Sequence, residues 1–379
     1  MGLALFLLFA AGQATAQEAR AVPAGLQAAV DYLCTELLDG GDPDPSRIAP
    51  VIAHVRANAA AATGLPRYQD APGAFQGFPV RMALRPLLRY LYNPQIPQEI
   101  VKPFSIRSSV WTTPGAAAQQ RRLWADPWPP SGPVVVRGEQ YDRTTPDPST
   151  GGCYGMTLRR AVILLPAEGA VLSVSVQQGD SEVGTKGYVL GNDGDGRYVY
   201  TGEKGLTRTG LGWASSRIQT NVSIGVYLQA EGGVVGGVFQ WMRAGWSGLS
   251  VVQEKHVAAS LERYRRLFAE RLARLPEPEA IEALHAAAAT ASEETLRGRA
   301  KNVLRCWAER HGRDARREAL QMLGEGYEAR LDRGELVALR MGEGLGGADP
   351  CYSVVPGVSG VQTSRLDASL PFQPLRTSR

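Results

Sequence analysis

Residues 171–177 read VLSVSVQ and residues 221–229 read NVSIGVYLQ, and these two stretches decide the predicted fold. Apolar side chains stand at every second position in both, at Leu172, Val174 and Val176 in the first and from Val222 to Leu228 in the second. A period of two is typical of an antiparallel strand that buries one face. Both stretches are therefore predicted to be half-buried strands of one sheet.

Further strands are predicted on both sides of these two, at residues 105–112, 134–141, 158–165 and 234–242. Residues 192–196, NDGDG, lie between two short β-forming runs and predict a hairpin turn. An EF-hand is excluded there, because Gly194, Gly196 and Arg197 depart from its ligand pattern. A calcium site of looser geometry is the alternative to the plain hairpin turn. The middle of the chain is predicted to be an antiparallel meander.

Apolar residues at helical spacing predict helices before and after this sheet. The predicted helices span residues 23–38, 45–62, 80–92, 254–275, 278–310 with a break near Thr290, and 314–339. The fold class is therefore α+β, a central antiparallel meander-type sheet flanked by an N-terminal helical segment and a C-terminal helical region. The predicted divisions are 1–16 signal peptide, 17–100 helical segment, 101–253 β-rich domain, 254–341 helical region and 342–379 extended tail.

The first sixteen residues are predicted to be an export signal. Residues 2–11 read GLALFLLFAA, an apolar run too short to cross a bilayer, which needs roughly twenty residues. Ala14 and Ala16 fit the small-residue rule for cleavage, which places the mature start at Gln17. A buried N-terminal helix is the alternative. The sequence therefore predicts a periplasmic or secreted protein, with no transmembrane segment in the mature chain.

Composition and charge indicate a globular protein without a nucleic-acid partner. Hydrophobic residues make up 44% and charged residues 21% of the chain, and its net charge is +4. The densest basic stretch spans residues 297–317, where Arg297, Lys301 and Arg305 share one helical face. This face predicts a weak contact with an anionic surface, and an ordinary solvated helix face is the alternative.

The cysteines Cys34, Cys153, Cys306 and Cys351 are predicted to be structural. An even count in an exported chain predicts two disulfides, since the compartment is oxidising. Three pairings are open, and the pairing of Cys306 with Cys351 is preferred because it would tie the tail to a helix. The spacing matches no zinc pattern, and we predict neither a metal nor a cofactor.

Catalytic candidates are few. Cys153 lies between glycines, and a thiolate nucleophile there would need a base, for which His256 is the histidine nearest to the predicted sheet. A disulfide at Cys153 is the favoured interpretation. Several carboxylates lie around the loops of the sheet and are candidates for acid and base roles: Asp180, Glu182, Asp193, Asp195 and Glu203.

Tryptophans are the candidates for ligand binding. Trp124 and Trp128 lie in a proline-rich loop, and Trp213 follows a glycine-rich loop, where large aromatic side chains suggest contact with a partner. The predicted function is a non-catalytic envelope protein that binds a partner protein or a cell-wall component. A periplasmic hydrolase or transferase with its site on the loops of the sheet is the alternative.

Overall fold

The computed structural model describes residues 25–147, 151–189, 198–205, 215–246, 249–310 and 313–345. The predicted α+β class is confirmed, since a large antiparallel sheet lies between helices that precede and follow it. The helices are α1 Leu26–Tyr32, α2 Pro45–Ala57, α3 Leu84–Tyr92, α4 Gln98–Val101, α5 Ala116–Gln119, α6 Glu254–Leu272, α7 Pro278–Ala289, α8 Glu293–Arg310, α9 Arg313–Gly324 and α10 Arg333–Leu345. One turn of π-helix, Leu33–Leu37, extends α1.

The strands form two antiparallel sheets. Their bounds are β1 Ala62–Tyr68, β2 Ala71–Val80, β3 Ile106–Trp111, β4 Val134–Thr144, β5 Gly152–Cys153, β6 Gly155–Leu165, β7 Ala170–Gln177, β8 Thr185–Val189, β9 Tyr198–Lys204, β10 Arg217–Ala230, β11 Gly233–Trp246 and β12 Leu249–Ser250. The main sheet has the order β1-β2-β11-β10-β7-β6-β4-β3, with β12 beside β11. The smaller sheet has the order β5-β8-β9.

The predicted meander is present in the main sheet. From β3 to β11 each strand of this sheet pairs with the next one along the chain, with the small sheet inserted between. The two deciding stretches are adjacent, since Val222 of β10 lies opposite Val176 of β7. Leu172, Val174, Val222 and Ile224 are fully buried, as the alternation predicts.

Helices cover both faces of the main sheet. The first face packs against α1, the π-turn and α2, and its core includes Leu33, Ile48, Phe75, Phe239 and Trp241. The second face packs against α3, α4, α6 and α10, and α7, α8 and α9 pack onto these helices and one another. The alternating strands are therefore not half-buried against solvent, because their more polar face lies under the second helical layer.

The helical segment predicted for residues 17–100 also contains strands, since β1 and β2 form a hairpin at residues 62–80, where no strand was predicted. β2 pairs with β11 in the interior of the main sheet, so nearly all of its residues are buried. Glycine and proline hide this strand from a pattern search, but the glycines have a packing role. A side chain at Gly73 would collide with the indole of Trp241, which lies on the neighbouring strand.

The C-terminal helices agree largely with prediction. The expected break near Thr290 separates α7 from α8. The helix predicted over 314–339 is divided into α9, a 3-10 turn at Tyr327–Arg330, and α10, because Gly326 adopts a left-handed conformation with a φ of 69°. Within the described ranges, none of the helices combines the length and apolar character that crossing a membrane would require.

Candidate functional site

A cleft of about 240 Å³ lies where the small sheet meets the ends of β4 and β6 and the turn before α10. It brings together positions that are far apart in sequence, from the third strand to the last helical region. Its described lining residues are Arg107, Arg143, Cys153, Tyr154, Gly155, Glu182, Val183, Thr185, Tyr200 and Arg330. Three arginines and one carboxylate make this lining basic.

Two glycines allow the walls of the cleft to approach one another. A Cβ at Gly155 would lie 2.1 Å from the Tyr141 hydroxyl, which donates a 2.7 Å hydrogen bond to Glu182 Oε1. A Cβ at Gly184 would lie 2.6 Å from the ring of Tyr154, whose hydroxyl is 3.0 Å from Ser216 Oγ. The aromatic wall and the Glu182 carboxylate are therefore fixed by close backbone contacts.

A buried ion pair forms the floor of the cleft. Arg107 Nε of β3 donates to Glu335 Oε1 of α10, and the two side chains are only 10% and 5% exposed. The Arg107 guanidinium also lies 3.5 Å from the centroid of the Tyr200 ring. Burial raises the pKa of Glu335, while the neighbouring guanidinium opposes this shift. This pair ties the edge of the main sheet to the C-terminal helices.

Cys153 lines the cleft, but its thiol is poorly suited to nucleophilic chemistry. Burial raises the pKa of Cys153 to about 12, and the smaller effects of Arg107 and of a hydrogen bond with Thr185 only partly offset it. A thiol with this pKa is protonated at neutral pH, whereas reactivity requires the thiolate. Burial thus disfavours the thiolate of Cys153, and a catalytic role for this residue stays a prediction.

The candidate pair Cys153 and His256 is not brought together. His256 belongs to the first turn of α6, where its Nδ1 accepts the backbone N–H of Gln253 at 3.2 Å in a capping box. Glu254, two residues earlier, packs directly against Gly64 of β1. β1 is the opposite edge of the main sheet from β3 and β4, which border the cleft. The positions of Cys153 and His256 along the chain do not show how far apart the two residues lie in the fold.

Arg143 and Arg330 hold donors that the described protein groups leave underused. The nearest carboxylate oxygen to Arg143 is Asp332 Oδ2, at 3.7 Å, which is longer than a hydrogen bond. Arg330 Nη2 makes two long contacts of 3.3 Å with Glu325. Arg330 Nη1 is buried and has no hydrogen-bond partner among the described residues.

A buried polar network continues from the floor of the cleft under α4. Arg160 donates to Gln140 Oε1 at 2.7 Å and to Ser173 Oγ at 3.0 Å, and Gln140 and Ser109 both donate to Asp142 Oδ1. This network occupies the polar face of β4, β6 and β7 that the alternation had suggested would meet solvent.

Glu99 and Lys102, at the end of α4, lie near this network, and each has a pKa that differs from its ordinary value. Burial raises the pKa of Glu99 to about 8, with smaller contributions from Asp332, Glu335 and Asp142. Burial also lowers the pKa of Lys102 to about 8. Sequence reasoning missed Arg107, Arg160 and both of these residues. For Arg107 and Arg160 the available signal was a charged residue within a predicted strand, because a buried charge needs a partner.

The tryptophan loop packs back onto the protein. Trp124 and Trp128 are partly buried against the core of the second face. Arg85 Nε donates to the Trp124 carbonyl at 2.8 Å, and its guanidinium lies 6.0 Å from the Trp128 ring. These contacts account for the loop without a ligand, and a binding role for it stays a prediction. Trp213 lies outside the described residues.

The prediction that all four cysteines form disulfides is wrong for two of them. Cys34 and Cys153 are buried free thiols. They cannot pair because the main sheet separates them, with Cys34 in the core of the first face and Cys153 in that of the second. Cys306 lies on α8, but Cys351 is outside the described residues, so their pairing stays a prediction.

The basic helical face is partly neutralised. Arg297 pairs with Glu293 at 2.5 Å, and Lys301 pairs with Glu328 at 2.7 Å. Arg305 makes a long contact with Asn302. The contact with an anionic surface stays a prediction, with less free charge to support it.

Among the candidate carboxylates, Glu182 reaches the cleft and is the sole acid of its described lining. Asp180 is exposed, and Glu203 lies on β9. Asp193 and Asp195 lie outside the described residues, as does the turn that contains them. No cluster of three or more His, Cys, Asp or Glu residues suited to a metal occurs in the described ranges.

The sequence matches no protein-family model, and none of the curated proteins is significantly similar to it.

Proposed function

We propose that this chain is an exported envelope protein that binds a partner protein or a cell-wall component without catalysing a reaction. The cleft between the small sheet and α10 is the proposed binding site. The observation that carries the proposal is the chemistry of its lining, where Tyr154 and Tyr200 lie with three arginines, one of which has a buried donor without a described acceptor. Such a lining favours binding over nucleophilic attack.

Export is tested by fractionation of cells that make the full chain, followed by the intact mass of the purified protein. We expect a mature protein in the periplasm or medium that begins at Gln17. A protein that stays in the cytoplasm with its first sixteen residues would contradict this part of the proposal.

Binding is tested with muropeptides, the soluble fragments of peptidoglycan, by the shift in melting temperature and by isothermal calorimetry. Val183 lines the cleft, so Val183→Trp is expected to fill the cleft and abolish binding. Val251→Trp makes the same change at a position that is 48% exposed and should leave binding intact. Equal binding by both variants would overturn the cleft as the site, and absence of binding by the unmodified protein would overturn the cell-wall ligand.

A second candidate function is an envelope hydrolase or transferase. Glu99 and Lys102, both with pKa values of about 8, favour it because shifted pKa values cluster at catalytic sites. Mass spectrometry of muropeptides after incubation distinguishes the two candidates. Unchanged fragments support the binding protein, whereas new products that disappear with Lys102→Met would support the enzyme.

A further inference from the structure

We infer that the cleft recognises a single carboxylate group, held between Arg143 and Arg330, at the end of a short ligand. This inference rests on the proposed binding function and deepens it by naming the chemistry of the ligand. Three properties of the cleft support a carboxylate ligand: the arginines that are available to bind it, the charge of the lining, and the size of the group that fits.

Arg107 is not available to a ligand. Its side chain is 10% exposed, it donates to the buried Glu335 carboxylate, and it stacks over Tyr200. A ligand anion that took Arg107 would leave Glu335 as an unpaired buried charge, which is strongly unfavourable. Arg107 therefore belongs to the floor of the site.

Arg143 is available. Its side chain is 36% exposed and also interacts with the Tyr141 hydroxyl, but Asp332 is 3.7 Å away, so no described carboxylate lies within hydrogen-bond distance of its guanidinium. Asp332 Oδ1 instead accepts the backbone N–H of Glu335 at 2.9 Å, at the start of α10. Asp332 is thus engaged as a helix cap, and a ligand oxygen can take a position beside Arg143 without displacing it.

Arg330 provides the stronger sign of an absent anion. Its Nη1 is buried with no hydrogen-bond partner in the described part of the chain, and Arg330 is one of the residues that line the cleft. A buried donor without an acceptor is costly, and among the several such atoms of the described residues Arg330 Nη1 is the one that belongs to a residue of the cleft lining. A ligand oxygen would satisfy this donor, and a planar carboxylate with two oxygens can address two guanidinium groups at once.

The charge of the lining suits a monoanion. Glu335, which is not part of the lining, neutralises Arg107, and Glu182 is the one carboxylate of the described lining, so Arg143 and Arg330 exceed it by a single positive charge. Asp332 and Glu325 lie 3.7 Å and 3.3 Å from Arg143 and Arg330, so with these carboxylates counted the site has no excess of positive charge to balance a dianion. A phosphate dianion would meet more repulsion than a carboxylate would.

The size of the cleft limits the ligand to an end group. Its volume of about 240 Å³ is below the 300–1,000 Å³ that is usual for drug-sized ligands. The rings of Tyr154 and Tyr200 offer apolar walls for one small side chain beside the carboxylate. A chain that ends in a small amino acid with a free carboxylate fits this description.

The probe pair is N-acetylalanine and N-acetylalaninamide, which differ only in the carboxylate. Binding is measured by ligand-observed NMR titration on the mature protein, with inorganic phosphate as a dianion. We expect the acid to bind at least tenfold more tightly than the amide and than phosphate. Equal affinity for acid and amide, or tighter binding of phosphate, would overturn the inference.

The matched variants are Arg143→Gln and Arg330→Gln, with Arg47→Gln on α2 as the control on the opposite face of the sheet. Each cleft variant is expected to weaken binding of the acid at least tenfold, whereas the control keeps full affinity. Unchanged affinity in both cleft variants would overturn the inference, provided that circular dichroism shows them folded.

Failure of this inference is distinguishable from failure of the proposed function. Muropeptide binding that is lost in Val183→Trp but retained in both arginine variants supports the cleft and overturns the carboxylate. If all of the cleft variants still bind muropeptides, both the carboxylate and the cleft as the binding site are overturned.

Discussion

The two faces of the main sheet are covered by helices in the same way but are built from different chemistry. The first face, against α1 and α2, is apolar apart from His54, with Leu33, Val51 and Phe239 fully buried. The second face also has an apolar core, but it contains Arg160 with its partners and the ion pair of Arg107 and Glu335. Burial alone therefore does not distinguish the support of this fold from its candidate site.

The difference between the faces separates two roles. An apolar interface gains stability from area removed from water and is insensitive to pH. A buried polar network contributes little net stability, yet each member is costly to unpair. We therefore expect substitutions of charge to act on the second face and substitutions of volume to act on the first.

The largest expected effect is at Glu335. Glu335→Ala removes the partner of a buried guanidinium and should lower the free energy of unfolding by about 3–5 kcal/mol, measured by urea denaturation. The matched control is Glu36→Ala, which breaks the exposed pair with Arg47 on the first face and should change stability little. Equal effects of the two variants would show that the floor of the cleft is not a buried pair.

A volume change on the first face is expected to come next. Leu33→Ala empties a fully buried position of the π-turn and should cost about 2–5 kcal/mol, whereas Leu33→Met should cost less than about 1.5 kcal/mol. Both are measured by thermal and urea denaturation. A large loss from the methionine variant would mean that this face depends on precise shape and not on apolar volume alone.

The sequence was informative where periodicity and burial agree. The alternation at residues 171–177 and 221–229 predicted β7 and β10, and the helical spacing after Glu254 predicted α6, since both patterns follow from one apolar face. β2 was missed because its residues are buried on both sides and its glycines accommodate Trp241, so no alternation remains to be read.

The candidate site was harder to predict than the fold. Cys153 and Glu182 were singled out and do line the cleft, but Arg107, Arg143, Tyr200 and Arg330 converge on it from distant elements. The serine face of β7 was read as solvent-facing, whereas Ser173 accepts a hydrogen bond from Arg160 in the interior. A polar side chain in a strand has the same appearance in sequence whether water or a buried guanidinium is its partner.

His54 is the polar exception on the first face. Its replacement by an apolar residue is expected to change the free energy of unfolding by about 1 kcal/mol. Its ring is buried against Phe75, its two nitrogens have no hydrogen-bond partner in the described structure, and burial lowers its pKa. His54→Leu should therefore stabilise the protein. Because the unfolded state binds the proton more readily, the unmodified protein loses stability as pH falls below about 6.5, and the variant should lose less. Urea denaturation at pH 7.5 and pH 5.5 checks both effects, and a destabilised variant would show that the imidazole has a polar role.

Glu99 provides the contrast that is most specific to pH, because burial on the second face raises its pKa. Its pKa is raised to about 8, so between its ordinary value of 4.5 and pH 8 the folded state binds more protons than the unfolded state. Its contribution is fully present below about pH 4.5 and is lost as pH rises toward 8. Glu99→Gln keeps the side chain neutral, so its stability should rise relative to that of the unmodified protein between pH 5 and pH 7.5, by at least about 1 kcal/mol. Measurements stay below pH 8, because Lys102, whose pKa is lowered to about 8, adds stability as pH rises above that value. Equal stabilisation at both pH values would mean that Glu99 ionises normally, and the second face would then be polar without being sensitive to pH.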